Sequence, residues 1–199
     1  MKKIAVFFAT GYEEIEALTV VDLCRRAGID TQMVSVTESL QVTGSHNISV
    51  TMDSMYGDVA FEELDMIVLP GGMPGTLNLE AHNELMGRVD EFDKAGRFVA
   101  AICAAPSIFG HRGVLKGKKA CSYPGFEKDL NGAEVVFDSV VRDGHVITSR
   151  GMGCAIDFAL EIIAALCGED EAQQKAESII YRQWFAKKGR DEKLREETK

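Results

Sequence analysis

The segment Phe98-Val99-Ala100-Ala101-Ile102-Cys103-Ala104-Ala105-Pro106 decides the fold of this chain. Its first five residues form a continuous apolar run with the length of a buried strand. The residues after Cys103 have a helical pattern, and the small side chains around the cysteine permit a strained turn. The segment therefore predicts an α/β protein in which Cys103 occupies a strand-to-helix turn, the arrangement of a nucleophile elbow.

Outward from this segment, strand-like and helix-like stretches alternate along the chain. Strands are expected at residues 4–9, 31–36, 64–69, 97–102 and 120–123, and helices at residues 14–27, 79–94, 104–112 and 152–167. Residues 40–52 are expected to form a hairpin off the main sheet, and residues 134–141 and 145–148 to pair around the Asp143-Gly144 turn. This alternation indicates a doubly wound, mostly parallel sheet with helices on both faces.

Length and composition are those of one globular domain. The chain has 199 residues, and we expect residues 1–186 to form a single domain followed by a charged tail, 187–199, that is frayed or disordered. A net charge of −9 without a basic stripe argues against nucleic-acid binding. The apolar runs are too short to span a membrane, and no secretory signal is recognisable, so a cytoplasmic location is expected.

The five cysteines show no pairing or metal-ligand pattern. They are widely spaced and lack a C-x-x-C motif, so we expect free thiols and no metal site. Cys24 and Cys167 are expected in the core or an interface, whereas Cys121 and Cys154 flank the site region.

Three motifs are expected at one edge of the sheet, because the carboxyl ends of parallel strands gather there. They are the Cys103 turn, Pro70-Gly71-Gly72 after another strand, and the start of the first helix. The helix following Cys103 should stabilise a thiolate and lower its pKa, and the backbone N–H groups of Gly71 and Gly72 could form an oxyanion hole. Two plainer interpretations remain open: a buried cysteine with no chemistry, and Gly-Gly as an ordinary turn.

The first helix opens with three carboxylates, Glu13, Glu14 and Glu16. The helix dipole would favour acidic residues there whatever the function. Glu16 lies deepest in the apolar part of the helix, so it is the candidate to tune the thiol, whereas Glu13 and Glu14 are expected to be solvated.

Four motifs in this order resemble the ThiJ/PfpI superfamily, and within it the branch of the Parkinsonism-associated protein deglycase. They are Gly11-x-Glu-Glu-x-Glu16, Leu69-Pro-Gly-Gly72, Ala101-Ile-Cys103-Ala-Ala-Pro106 and Thr148-Ser-Arg-Gly151. The resemblance implies a flavodoxin-like sandwich, a homodimer with its site near the interface, an oxidation-sensitive Cys103 and a protonated Glu16. It also implies a pocket lined by Gly71, Gly72, Ala104, Arg150 and Gly151.

The chain departs from the superfamily pattern at two positions. Ala104 stands where the protease-like branch has a histidine, which argues against a Cys-His protease. Tyr123 precedes Pro124 where some deglycase-branch members have a histidine, so the general acid is open. Tyr123 and His111 are further candidates, although His111 is more simply interpreted as capping the end of its helix.

Two functions remain open. The first is a cofactor-independent enzyme acting on reactive dicarbonyls, or on their protein and nucleotide adducts, by glyoxalase or deglycase chemistry at Cys103. The second is an oxidative-stress sensor or redox-dependent chaperone that uses the same cysteine. The apolar run from Ala17 to Leu23 is the part of the sequence that favours a homodimer.

Overall fold

The computed structural model describes residues 1–181. The predicted tail, 187–199, lies outside the described residues. The strands are β1 (Lys3–Phe8), β2 (Asp30–Ser35), β3 (Gln41–Thr43), β4 (Ser49–Thr51), β5 (Ser54–Met55), β6 (Met66–Leu69), β7 (Phe98–Ile102), β8 (Lys119–Ala120), β9 (Glu134–Val135), β10 (Val140–Asp143) and β11 (Val146–Ser149). The helices are α1 (Glu14–Arg26), α2 (Gly75–Glu80), α3 (Asn83–Lys94), α4 (Pro106–His111), α5 (Ala155–Cys167) and α6 (Glu169–Ser178).

Seven strands form the main sheet in the order β10-β11-β7-β6-β1-β2-β5. Every neighbouring pair is parallel except β10 with β11 at one edge. The doubly wound, mostly parallel α/β class predicted from the sequence is confirmed. The predicted hairpin is present as β3 and β4, which pair antiparallel in a separate sheet.

The apolar strands are continuous because each face of the sheet packs against its own helical layer. Along β1, Ile4 and Phe8 belong to a core shared with α1 and α5, whereas Ala5 and Phe7 point into a second core that contains α3 and α4 residues. Side chains alternate between the two faces of a strand, so a strand covered on both faces needs apolar residues at every position. Within residues 1–181, no helix has the length and apolarity that a bilayer crossing requires.

Several predicted boundaries were wrong. The helix expected over residues 79–94 is two helices, and the ring of His82 accepts a hydrogen bond from the Leu85 N–H at the start of α3. An N-terminal cap of this kind ends one helix and begins another without a glycine to mark the break. The segment 134–141 is also divided, because β9 pairs with β8 rather than with β11.

Four neighbouring strands place their following loops at one edge of the sheet. Strands β11, β7, β6 and β1 are consecutive in the sheet, and each is parallel to its neighbours in this set. Their carboxyl ends lead into the segments that begin at Ala9, Pro70, Cys103 and Arg150. The shared edge predicted for the three motifs is thus present, and the segment after β11 joins it.

Candidate active site

Cys103 occupies a strained backbone turn between β7 and α4. Its φ is 65°, in the left-handed region that few residues other than glycine adopt. Two backbone hydrogen bonds hold the turn: the Cys103 N–H donates to Ser149 O at 2.9 Å, and the Tyr123 N–H donates to Cys103 O at 2.8 Å. The partly buried thiol is fixed in place by the end of β11 on one side and by the Tyr123 segment on the other.

Glu16 lies beneath the thiol with its side chain buried. Its Oε2 accepts a hydrogen bond from the Gly71 N–H at 3.0 Å, and its carboxyl lies beside the Cys103 side chain. Its other oxygen, Oε1, is buried and has no hydrogen-bond partner among residues 1–181. Burial raises the pKa of Glu16 to about 7, outweighing the hydrogen bonds from Cys103 and Gly71 that favour the ionised form. This carboxyl can therefore gain or lose a proton near neutral pH.

Two glycines make the close approach possible. A side chain at Gly71 would place its Cβ 2.5 Å from the Cys103 Cβ and 2.6 Å from Glu16 Oε2. Gly72 has a φ of 90°, and a Cβ there would lie 2.3 Å from the Glu13 backbone nitrogen. Any larger residue at either position would separate the strand ends that bring the carboxyl to the thiol.

The electrostatic environment of Cys103 differs from the prediction. Burial raises the pKa of Cys103 to about 12, with further contributions from the Glu16 charge and the hydrogen bond to Glu16. The backbone N–H groups of Gly72 and Ala104 oppose this rise, but they are outweighed. The predicted lowering was wrong because burial of the thiol and the neighbouring Glu16 carboxyl outweigh the backbone donors, and α4 begins only at Pro106.

The rim of the site is formed by Tyr123, Arg150 and Gly151. A Cβ at Gly151 would lie 3.1 Å from Cδ2 of the Tyr123 ring and 3.8 Å from Glu16 Oε1. The Tyr123 side chain is 50% exposed. The Arg150 Nε donates to Ser122 O at 3.4 Å. The structure thus brings Tyr123 and Gly151 together near the Glu16 carboxyl, and Arg150 contacts the residue that precedes Tyr123.

His111 is placed elsewhere. It is the last residue of α4, at the end of the helix remote from Cys103. Its Nδ1 lies 2.7 Å from Glu80 Oε1. The structure therefore links His111 to α2 and does not bring it to the thiol.

The expectation that Glu13 and Glu14 are solvated was wrong. Glu14 is buried, and its carboxylate accepts hydrogen bonds from the His46 N–H at 2.8 Å and the Ser45 hydroxyl at 3.2 Å. Burial opposes its ionisation, but hydrogen bonds from His46 and the backbone together hold the pKa of Glu14 below its usual value. Ser45 also donates to Glu13 at 3.1 Å. Sequence reasoning missed these contacts because they come from the tip of the β3–β4 hairpin, whose docking no local pattern encodes.

Glu13, Glu14 and His46 are also the described residues whose ligand atoms converge as a metal site would require, within 4.8 Å of one another. Hydrogen bonds within the protein already occupy the Glu14 oxygens, so the cluster is explained as the anchor of the hairpin on α1.

Comparison with known proteins decides the family. A model described as the DJ-1/PfpI family matches residues 2–165. The chain belongs to the DJ-1/PfpI family. The resemblance drawn from the four sequence motifs is confirmed, and DJ-1 proteins are also its structural neighbours.

Two curated DJ-1 relatives show the extent of the match. The chain is 36% identical over 182 residues to protein dj-1beta of Drosophila melanogaster, covering 90% of this chain and 97% of the relative. It is also 36% identical to protein DJ-1 homolog B of Arabidopsis thaliana over 183 residues, covering 91% of this chain. The chain spans only 42% of that plant protein and 47% of its homolog A.

Among solved structures, an oxidized DJ-1 of Toxoplasma gondii superposes with a TM-score of 0.88 at 32% identity, covering 92% of this chain and all of that one. A DJ-1 superfamily protein of Salmonella typhimurium gives a TM-score of 0.86 at 35% identity, covering 91% of this chain and 99% of that one. The whole described α/β domain is therefore a DJ-1-like domain.

Proposed function

We propose that this protein is a cofactor-independent cysteine enzyme that acts on reactive dicarbonyls or their adducts with protein and nucleotide amines, by glyoxalase or deglycase chemistry. The observation that carries the proposal is the close pair of Glu16 and Cys103, which meet over Gly71 and interact electrostatically. A nucleophile beside a carboxyl that titrates near neutral pH has the proton partner that covalent catalysis requires.

For a 2-oxoaldehyde, the reaction begins with attack of the Cys103 sulfur on the aldehyde carbon. The thiol proton passes to Glu16 and from there to the carbonyl oxygen, giving a hemithioacetal. Glu16 then removes the hydrogen from the former aldehyde carbon as a proton and returns a proton to the adjacent carbon, while the hydroxyl proton of the hemithioacetal moves to the former ketone oxygen. This transfer oxidises the first carbon to a thioester and reduces the ketone to an alcohol. Water hydrolyses the thioester, releasing a 2-hydroxy acid and restoring the thiol.

Backbone donors support the charged stages of this sequence. The N–H groups of Gly72 and Ala104 interact with the sulfur, and we expect them to stabilise the oxyanion formed on the attacked carbon. The turn at Cys103 keeps these donors fixed relative to the nucleophile, because its strained backbone is held by hydrogen bonds to two other segments.

The test is formation of lactate from methylglyoxal by the purified protein without added thiol or metal. We expect enzyme-dependent lactate with the wild type and none above background with Cys103→Ser. Alanine replacements of the partly buried Cys154 and the exposed Cys167 serve as matched controls and should retain the activity. Absence of lactate from the wild type, with the protein folded and its thiols reduced, would reject the lyase.

An oxidative-stress sensor or redox-dependent chaperone is the second candidate, and one observation favours it. A structural relative, DJ-1 of Toxoplasma gondii, is described as oxidized. Stepwise oxidation of Cys103 by two equivalents of peroxide would give a sulfinate and two molecules of water. A protonated Glu16 and the N–H groups of Gly72 and Ala104 could hold that anion. Peroxide-dependent chaperone activity without lactate formation would favour this candidate.

We also propose a cytoplasmic homodimer, in which the apolar face of α1 forms the interface. A surface cleft on this face is lined by Ile15, Leu18, Ile48, Ile156 and Ile179, together with polar residues. Ile15 is 50% and Ile48 54% exposed, and covering such side chains is favourable. Free thiols on all five cysteines suit a reducing compartment.

A further inference from the structure

Tyr123 presents an exposed aromatic ring at the mouth of the site, and the chemistry proposed above makes no use of it. The ring is 50% exposed, yet its backbone is fixed, because its N–H donates to Cys103 O at 2.8 Å. A large apolar surface held open beside a nucleophile loses contact with water only when something binds there. The position of this ring is therefore informative about the substrate.

Gly151 shows that the ring and the Glu16 carboxyl face the same space. A Cβ on Gly151 would lie 3.1 Å from Cδ2 of Tyr123 and 3.8 Å from Glu16 Oε1. Gly151 therefore lies beside both the exposed ring and the buried carboxyl oxygen. An occupant next to Gly151 would contact the ring and lie close to that oxygen.

Glu16 Oε1 supplies the second requirement for the occupant. This oxygen is buried and has no hydrogen-bond partner within the described chain, an arrangement that is costly unless a ligand satisfies it. The occupant must therefore offer a polar hydrogen to Oε1 and a flat apolar group to the ring. The hydroxyl of a hemithioacetal on Cys103 provides the first, and an aryl group on the adjacent carbon provides the second.

We propose that Tyr123 is a specificity-determining residue that favours 2-oxoaldehydes carrying an aromatic substituent, by stacking that substituent over Gly151. The inference rests on the proposed lyase function and names the substrate class of that same site. Aromatic contacts of this kind correspond to a preference of about threefold to tenfold over an aliphatic side chain at the same place.

The experiment compares phenylglyoxal with methylglyoxal, using initial rates because both aldehydes modify arginine over longer times. The ratio of their kcat/KM values is measured in the wild type, Tyr123→Leu and Tyr123→Phe. Taking the ratio within each variant removes any general loss of activity. We expect Tyr123→Leu to reduce the ratio about threefold to tenfold and Tyr123→Phe to preserve it, because the ring alone provides the stacking surface.

Phe137 provides the matched control. It is also an exposed aromatic residue, at 68%. Its ring faces the Arg150 guanidinium, which lies 5.5 Å from the ring centroid. Phe137→Leu should leave the ratio at the wild-type value. An unchanged ratio in Tyr123→Leu, or an equal reduction in Phe137→Leu, would overturn the assignment to Tyr123.

A binding measurement separates this inference from the lyase proposal. If neither aldehyde is turned over, the lyase proposal fails. The aromatic preference of Tyr123 is then tested directly by measuring how well mandelate and lactate protect Cys103 from iodoacetamide. We expect mandelate to protect at a concentration about threefold to tenfold lower than lactate in the wild type and Tyr123→Phe, but not in Tyr123→Leu. Equal protective concentrations in the wild type would refute the aromatic preference.

Discussion

The Glu16 carboxyl and the Cys103 thiol lie side by side and interact electrostatically, although one belongs to α1 and the other to the turn after β7. Burial raises both pKa values, to about 7 for Glu16 and to about 12 for Cys103. Two negative charges in so small a buried space repel each other, so the pair holds one shared proton over the pH range between those values. This shared proton underlies the chemistry proposed for the site.

The raised pKa of Glu16 predicts a specific pH dependence of stability. Between its ordinary value of 4.5 and about 7, the native carboxyl binds more protons than the unfolded one, so its contribution is complete below pH 4.5 and is lost as pH rises through 7. The loss amounts to about 3 kcal/mol at full ionisation. Urea unfolding at pH 5 and pH 8 should show this decrease in unfolding free energy in the wild type and not in Glu16→Gln. The other ionisable groups are the same in both proteins, so their contributions cancel in the comparison. Equal pH dependence in the two proteins would contradict the raised pKa.

Gly71→Ala should disrupt the pair, because the added Cβ would lie 2.5 Å from the Cys103 Cβ. We expect a loss of ~1–3 kcal/mol in unfolding free energy, typical of an overpacked site. Gly87 in α3 is the matched control, since a Cβ there meets nothing within 4 Å. Gly87→Ala should raise stability by up to ~1 kcal/mol through its better helix propensity. Similar effects of the two substitutions in chemical denaturation would be inconsistent with the close packing at Gly71.

Thiol accessibility predicts an order of alkylation. Cys24 and Cys121 are fully buried, whereas Cys103 is partly buried and lies at the rim of the sheet. Limiting iodoacetamide on the native protein, followed by peptide mapping, should label Cys103 before either of them. The exposed Cys167 serves as the reference for unhindered labelling. Labelling of Cys24 or Cys121 ahead of Cys103 would show that the elbow does not present its thiol.

The proposed dimer predicts that a charge on the exposed face of α1 weakens association. Ile15→Lys should shift the mass in light scattering from twice 21.8 kDa toward 21.8 kDa at micromolar concentration. Leu77→Lys is the control, because Leu77 is similarly exposed, at 53%, but lies on α2. A wild type that is already monomeric, or equal dissociation by both substitutions, would contradict the α1 interface.

The sequence predicted the architecture because its decisive features are local. Continuous apolar strands such as residues 98–102 require burial on both faces, and the helices between them fix a parallel sheet. Parallel order then predicts that Cys103, Gly71 and Glu16 lie at one edge of the sheet. The contact between Glu16 and Cys103 was anticipated for the same reason, since Glu16 falls on the buried side of α1.

The features missed by the sequence depend on distant contacts. Burial of Glu14 results from docking of the hairpin tip with Ser45 and His46, and no periodicity within α1 distinguishes Glu14 from a solvated residue. The direction of the Cys103 pKa was predicted wrongly because the burial of the thiol and the position of the Glu16 carboxyl beside it are properties of the packed protein. Local patterns identify which groups meet, whereas their charge states depend on how deeply they are buried.

The most direct test of the account is the thiolate absorbance of Cys103 against pH in the wild type and in Glu16→Gln, each corrected with the matching Cys103→Ser protein. We expect burial and the Glu16 charge to delay the last ionisation of the wild-type pair to about pH 12. Glu16→Gln carries no such charge, so its thiol should ionise in one step that is complete at a lower pH. Superimposable titrations of the two proteins would show that Glu16 and Cys103 do not share a proton.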